Sequence, residues 1–158
     1  MQYDFREIAT RAKQRFPLSL KGIHGLSHWQ RVQENGLKLA RYSGADKDIV
    51  RLFSFLHDCC RENDSADPDH GPRAAEFTRS LRDELIVAAD EQFELLFVAI
   101  RDHTHEMHHL DTTIATCWDA DRLDIGRVGM RPERRYLNTK IAREDWIMKW
   151  AYKRSRQA

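Results

Sequence analysis

Histidine and aspartate side chains meet at the end of the most apolar segment of this sequence. The stretch 53–56, "FSFL", leads directly into the adjacent pair His57 and Asp58. Burying an unpaired charge costs several kcal/mol, so an imidazole and a carboxylate at a core boundary need partners. A metal ion is one such partner, and a hydrogen-bonded pair that closes a helix is the alternative.

Further histidine and aspartate residues lie near the ends of other predicted helices. They are His28, His70, His103 and Asp121. Metal ligands converge from distant helices, so side chains at helix ends are able to face one point. Imidazole and carboxylate ligands without thiolate suit a divalent transition metal such as Mn²⁺, Fe²⁺, Co²⁺, Ni²⁺ or Zn²⁺, with Mg²⁺ as an alternative. Such an ion acidifies a bound water and polarises a phosphoryl oxygen, which together make a hydrolytic centre.

The hydrophobic pattern predicts an all-helical chain, because apolar residues recur at spacings of three and four and alternating β-branched runs are missing. Ser27 is the predicted N-cap of the second helix, Gly44 its stop and Asp46 the N-cap of the third. The third helix is apolar nearly all round, which predicts a central position. The predicted helices cover about 3–16, 28–44, 47–60, a segment from Pro72, 90–105, 112–125 and a last segment containing Trp146, Ile147 and Trp150.

Length and charge limit the classes of function. The chain has 158 residues, with 26 basic and 25 acidic side chains and a net charge of +1, so it lacks the basic footprint typical of nucleic-acid binders. Its three cysteines form no disulfide framework, and neither a secretion signal nor a membrane span is visible. We expect one cytoplasmic domain over 1–158 with no nucleic-acid or membrane partner, and a homodimer stays open.

Five motifs carry a resemblance to a known family. The stretches "HGLSHWQRV", "FLHDCCREND", "HGPRAAEFTRSL", "AIRDHTHE" and "DADRLDIG" together resemble the HD-domain superfamily of metal-dependent phosphohydrolases. A lone HD pair is a weak signal, whereas the ordered set is specific. The resemblance covers about residues 20–130, with the terminal helices packing on that part. It implies a compact multi-helix HD-domain bundle with a metal centre between the central helices.

The resemblance also implies a set of metal ligands. The family's first ligand matches His28, its doublet matches His57 and Asp58, and its final aspartate matches Asp121 in the "ADR" pattern. The rivals for that last position are Asp119 and Asp124, which are otherwise outer groups or surface charges. Members with two metals use additional histidines, and His70 and His103 occupy such positions here. Asp58 would then bridge the two ions.

Arginines near these ligands are candidates for binding the substrate phosphate, because the guanidinium fork matches phosphoryl oxygens. These are Arg61, Arg73 and Arg122, and solvated surface charge is the alternative for each. Some mononucleotide-hydrolysing members carry a water-assisting glutamate where this chain has Arg61. That departure favours a two-metal or purely metal-activated water, with Glu62 or Asp64 as less certain helpers. The candidate catalytic residues are Asp58, Arg61 and Glu62.

The remaining histidines and the two adjacent cysteines are expected to lie outside the main ligand set. We expect His24 at the pocket rim or behind a ligand, and His105, His108 and His109 exposed after a helix end, with His105 the alternative ligand among them. Cys59 and Cys60 are expected to be buried as small apolar residues.

The resemblance implies a hydrolase that uses a metal-activated water on a small phosphate ester, with a nucleotide as the favoured substrate. One alternative is an HD-type diiron oxygenase, which the same six ligands would serve. Another is a catalytically inactive module that binds metal or nucleotide, and the intact ligand set disfavours it.

Overall fold

The computed structural model describes residues 3–157 and is built from helices. No strand occurs within 3–157, where the extended backbone is limited to one bridge between Arg82 and Ile86. This confirms the predicted all-α fold. The α-helices are α1 (Phe5–Arg15), α2 (Leu26–Ser43), α3 (Lys47–Leu56), α4 (His70–Ser80), α5 (Asp90–Asp102), α6 (Thr112–Arg122) and α7 (Asp145–Ser155), and 3₁₀ turns cover Ile125–Val128 and Arg134–Tyr136.

Helix α3 forms the centre of the bundle, as its apolar surface predicted. It packs against α1, α2, α4, α5 and α6. Its side chains Ile49, Leu52, Phe53 and Leu56 are buried. Burial of each such side chain contributes about 1.5–3 kcal/mol, so the residues at the end of α3 are held in a rigid environment.

Helix α6 is fixed between α2, α3 and α5. Its Trp118 is fully buried, and the indole N–H donates to the Ala99 carbonyl at 2.9 Å, which satisfies its polar atom. A smaller apolar cluster joins α7 to the end of α6 through Leu123, Ile147 and Ala151. Packing on both sides therefore fixes the last turn of α6.

Two of the three predicted helix signals are confirmed. The carboxylate of Asp46 accepts from the backbone N–H groups of Asp48 and Ile49 at 2.9 and 3.1 Å, which caps α3. Gly44 ends α2 with φ of +80°, a left-handed conformation that favours glycine.

The predicted cap at Ser27 is wrong, because α2 begins at Leu26 after Gly25. The chain enters α2 through a tight turn in which the Leu26 N–H donates to the Leu20 carbonyl at 2.8 Å. A Cβ at position 25 would lie 2.2 Å from that carbonyl oxygen, so the turn needs glycine there.

Several helix ends also differ from the predicted bounds. Helix α4 begins at His70, and Pro72 lies within its first turn, where a missing N–H costs no intrahelical bond. Helices α3, α5 and α6 end earlier than predicted, at Leu56, Asp102 and Arg122. Each of the first two ends immediately before a histidine of the predicted ligand set. No helix of the described residues is both long and apolar enough to cross a membrane.

Gly36 permits the close approach of α2 to its neighbours. A Cβ at this position would lie 2.4 Å from Val50 Cγ1 and 3.3 Å from the Ala120 Cβ. Replacement of an exposed helical glycine by alanine stabilises a protein by about 1 kcal/mol. Overpacking of a core destabilises it by about 1–3 kcal/mol. We expect Gly36→Ala to lower the free energy of unfolding in urea by about 1 kcal/mol, because the clash exceeds the propensity gain.

Val50→Ala provides the matched test of this contact, since it removes the methyl group that the new Cβ meets. The double variant should lose less stability than the sum of the two single variants. A Gly36→Ala protein more stable than the wild type would show that the helices have room to separate.

Candidate metal centre

Six side chains of the predicted ligand set lie around one point in the bundle. His28 comes from the first turn of α2, His57 and Asp58 follow α3, His70 begins α4, His103 follows α5, and Asp121 is in the last turn of α6. Asp121 is the most accessible of them, with 18% of its side chain exposed, whereas the others are 4% exposed or less. The group is therefore buried and opens towards solvent beside Asp121.

Four of these side chains form a first cluster. The Nε2 atoms of His28 and His57 lie 3.2 Å apart. Asp58 Oδ2 lies 3.4 and 3.5 Å from these two nitrogens. Asp121 Oδ1 lies 3.2 and 3.6 Å from them.

The other two histidines form a second cluster with Asp58. The Nε2 atoms of His70 and His103 lie 2.9 Å apart. Asp58 Oδ1 lies 3.1 and 3.6 Å from them, so the carboxylate directs one oxygen to each cluster. Atoms that share an ion at about 2.1 Å are themselves about 3–4 Å apart, and the spacings in both clusters fit this value.

The ring orientations of the four histidines also fit a metal. Each Nδ1 lies within hydrogen-bonding distance of an oxygen acceptor: Asp124 Oδ2 at 2.7 Å for His28, Phe53 O at 3.0 Å for His57, Asp67 O at 2.5 Å for His70 and Ile100 O at 2.7 Å for His103. A neutral imidazole that donates from Nδ1 has only a lone pair on Nε2. In both clusters the two facing Nε2 atoms therefore need a cation between them, either a proton or a shared metal ion.

The electrostatics of the cluster favour positive charge. Burial and Arg127 oppose protonation of His28, but Asp121, Asp124 and Asp58 outweigh both and raise the pKa of His28 to about 9. Burial alone would raise the pKa of Asp58, yet the histidines around it hold that pKa well below its usual range. Asp121 behaves in the same way, since His28 and His57 outweigh its burial and keep its pKa well below normal. Buried carboxylates that stay ionised need a cation nearby.

Asp119 and Asp124 lie outside the two clusters. Asp124 Oδ2 contacts the far nitrogen of His28, and Arg31 Nε donates to Asp124 Oδ1 at 2.7 Å. This pair orients the His28 ring from behind. Asp119 accepts instead from the backbone N–H groups of Asn138 and Thr139, both at 2.7 Å, and so anchors the segment before α7.

The sequence patterns did not predict two residues that support the histidine ligands. Arg31 stands three residues after His28 on α2, a spacing that places both on one helix face. Asp67 accepts His70 Nδ1–H through its carbonyl, while its carboxylate binds Arg73 and the Glu62 N–H. Its position three residues before His70 was the available signal, but only the folded loop shows which atoms meet.

The three candidate arginines have different surroundings. Arg73 donates to the Asp67 carboxylate and the Cys60 carbonyl, and Arg122 donates to the carbonyls of His103, Glu106, Met107 and Tyr136. Two of the three nitrogens of each guanidinium group therefore donate to the protein itself. Arg61 is anchored through Nη1 to the carbonyls of Asn63 and Ser65, both at 2.9 Å.

Arg61 also carries a free donor. Its Nε lies 3.9 Å from Asp58 Oδ1 and is the buried side-chain nitrogen or oxygen without a hydrogen-bond partner among residues 3–157. The carboxylate of Glu62 is 61% exposed and lies 3.5 Å from Arg73 Nε, so it points away from the clusters. Of the residues beyond the ligands, Arg61 thus has the donor best placed to meet an anion.

The remaining histidines lie outside the two clusters. His24 is buried, with Nδ1 2.9 Å from Asp64 Oδ1, and its ring stands edge-on to His28. Burial lowers the pKa of His24, and Asp64 partly offsets this. His105, His108 and His109 are exposed, and His105 Nε2 lies 2.7 Å from the Pro68 carbonyl oxygen. Cys59 and Cys60 are buried, as expected for small apolar side chains.

The fold has a counterpart among solved structures. No protein-family model and no curated protein matches the chain. It is similar to a crystal structure described as a predicted HD superfamily hydrolase from an uncultured Thermotogales bacterium, at 26% sequence identity and a TM-score of 0.73. The match covers 94% of this chain and 84% of the other. Together with the ordered H, HD and D motifs, this similarity shows that the chain has the fold of the HD-domain superfamily.

Proposed function

We propose that the chain is a metal-dependent phosphohydrolase that cleaves a small phosphate ester, a nucleotide, with two metal ions. The observation that carries this proposal is the pair of facing histidine nitrogens on each side of Asp58. The similar structure from the Thermotogales bacterium, described as a predicted hydrolase, supports the reaction class.

The ligand sets follow from the two clusters. His28, His57, Asp58 and Asp121 would hold one ion, and His70, His103 and Asp58 would hold the second. Divalent ions in such sites acidify a water and polarise a phosphoryl oxygen. Mn²⁺, Fe²⁺, Co²⁺, Ni²⁺ and Zn²⁺ all suit imidazole with carboxylate ligands, so the ligand types alone do not select one of them.

The protein's own residues contribute orientation and charge. Asp124 and the carbonyl groups behind the histidines hold every Nε2 lone pair towards the centre, so little reorganisation is needed when the substrate arrives. Hydrolysis joins a water oxygen to phosphorus and breaks the ester P–O bond, and the departing alkoxide oxygen takes up a proton. The more accessible side chain of Asp121 marks the side from which the phosphate would enter.

Arg61 is the residue that we propose for binding the phosphate. Its Nη1 is fixed by two carbonyls, and its unpartnered Nε would donate a charge-assisted hydrogen bond to a phosphoryl oxygen. Arg73 and Arg122 were predicted for the same task, but each donates from two of its three nitrogens to the protein itself. We therefore propose that Arg73 supports the loop before His70 and that Arg122 supports the loop after α5. For Glu62, whose carboxylate is exposed on the loop surface, the proposed role is limited to accepting a proton.

Asp58→Asn tests the proposed function directly. A neutral amide replaces the carboxylate shared by both clusters, so the variant should lose most bound metal and at least about 100-fold of its phosphate release. Metal content is measured on purified protein by mass spectrometry, and phosphate release is measured across a nucleotide panel. Asp48→Asn on the surface of α3 is the matched control and should match the wild type.

The circular dichroism spectrum of Asp58→Asn should remain helical, which separates loss of the site from loss of the fold. Unchanged turnover in this variant would refute the proposal. Iron-dependent consumption of O₂ with no phosphate release by the wild type would favour the oxygenase alternative.

His103→Ala tests the number of ions. Because the His103 Nε2 atom faces the second cluster, its removal should reduce the bound metal from about two ions per chain to about one. His108→Ala removes an exposed histidine of the same loop and should leave the ratio unchanged. A ratio near one in both the wild type and His103→Ala would favour a mononuclear centre.

Arg61→Gln tests the phosphate-binding donor. Loss of a charge-assisted hydrogen bond should raise KM, and the inhibition constant of inorganic phosphate, by about tenfold. The metal content should not change, because Arg61 is not among the ligands. Arg51→Gln, which alters a more exposed arginine on α3, is the control, and an unchanged phosphate inhibition constant in Arg61→Gln would remove Arg61 from the site.

A further inference from the structure

A cavity of about 500 Å³ adjoins the second ligand cluster and is lined mostly by residues outside the ligand set. One wall is the loop after α5, from His103 to Met107, and the other is the segment 130–137. This volume falls within the range of about 300–1,000 Å³ that is typical of small-molecule sites. His103 belongs to both the second cluster and the cavity wall, and this shared residue connects the cavity to the metal centre.

Arg122 holds the two walls of the cavity together. Its Nη1 donates to the carbonyls of Met107 and Tyr136, and its Nη2 donates to those of Glu106 and His103. One side chain thus connects both walls through four acceptors. These hydrogen bonds hold the two walls of the cavity in fixed positions relative to each other.

The walls combine apolar and aromatic surface. Met107 and Met130 line the cavity and are about half exposed, although large apolar side chains are usually buried. Tyr136 also lines it, and the guanidinium of Arg135 lies 4.6 Å from the centre of the Tyr136 ring. Methionine side chains adapt to a flat ligand, and tyrosine and arginine planes stack on nucleobases. These walls suit a planar aromatic group.

The segment beside the cavity carries local positive charge. Residues 127–143 include one acidic side chain, Glu133, and six basic side chains: Arg127, Arg131, Arg134, Arg135, Lys140 and Arg143. The whole chain, in contrast, has a net charge of only +1. Arg135 is paired with Glu133 at 3.0 Å. Arg131 lines the cavity, packs on the Tyr152 ring and forms no ion pair with any described carboxylate. Glu106, a second acidic residue of the lining, belongs to the opposite wall.

We propose that this cavity binds the leaving group of the substrate, and that this group is a nucleoside carrying a second phosphate, which Arg131 binds. The inference rests on the proposed phosphohydrolase function, because the first phosphate is the one cleaved at the metal centre. The base packs between the methionines and Tyr136, and the free guanidinium of Arg131 neutralises the second phosphate. A substrate with two phosphate groups uses both the centre and the cavity.

The experiment compares Arg131→Gln with the wild type on three substrate classes. The first class is 4-nitrophenyl phosphate, and the second is the four ribonucleoside 5′-monophosphates. The third class is the two-phosphate nucleotides, namely the 5′-diphosphates and the 3′,5′-bisphosphates. The wild type should prefer a two-phosphate nucleotide, and Arg131→Gln should raise KM for it by about tenfold with little change in kcat. Hydrolysis of 4-nitrophenyl phosphate should stay within about twofold, because it has no second phosphate. Arg41→Gln, an exposed arginine of α2, is the control.

Preference for monophosphates, or an unchanged KM for the two-phosphate nucleotides in Arg131→Gln, would overturn the inference. If no phosphate ester is hydrolysed, the proposed function fails, but the cavity is still testable. Calorimetric titration of the metal-loaded protein with the same nucleotides should then show binding of a two-phosphate nucleotide that Arg131→Gln weakens about tenfold. No difference in that titration would reject the cavity assignment independently.

Discussion

The buried carboxylate of Asp58, placed between two pairs of histidine nitrogens, is the constraint on which the structure depends. An ionised carboxylate in a protein core is costly unless positive charge and hydrogen bonds compensate for it. Its two oxygens face different histidine pairs, so both sides of the group must be satisfied together. Helices α2 to α6 each bring one end to this point, and the apolar surface of α3 holds those ends in place. The bundle is thus built around a polar centre instead of excluding it.

The positions of the histidines on their helices explain how each ring is oriented. His57 and His103 follow the last turns of α3 and α5, and the ring of each uses a backbone carbonyl three or four residues earlier. His70 opens α4 and uses the Asp67 carbonyl of the preceding turn. His28 lies in the first turn of α2, where the free backbone groups are N–H donors. It therefore needs a carboxylate from elsewhere, and Asp124 supplies it with support from Arg31.

Sequence patterns predicted the features that depend on spacing and failed where single atoms decide. The apolar residues of α3 predicted its central position, and the H, HD and D motifs predicted side chains that do lie together. The start of α2 was misplaced because the turn at Gly25 depends on a carbonyl five residues earlier. Arg61, Arg73 and Arg122 looked equivalent in the sequence. Arg61 keeps a buried Nε without a hydrogen-bond partner, whereas Arg73 and Arg122 each donate from two nitrogens to the protein, and this difference depends on which loop carbonyls fold beside them.

Helix α6 relates the metal centre to the neighbouring cavity. Consecutive residues of an α-helix point about 100° apart, so Asp121 and Arg122 cannot face the same region. Asp121 faces the histidines, and Arg122 turns to the carbonyls that brace the cavity walls. Trp118 and Leu123 anchor this same turn in two apolar clusters, which fixes both directions together. The spacing between the metal centre and the cavity is therefore set by one rigid turn of helix, and a shift of α6 would disturb both at once.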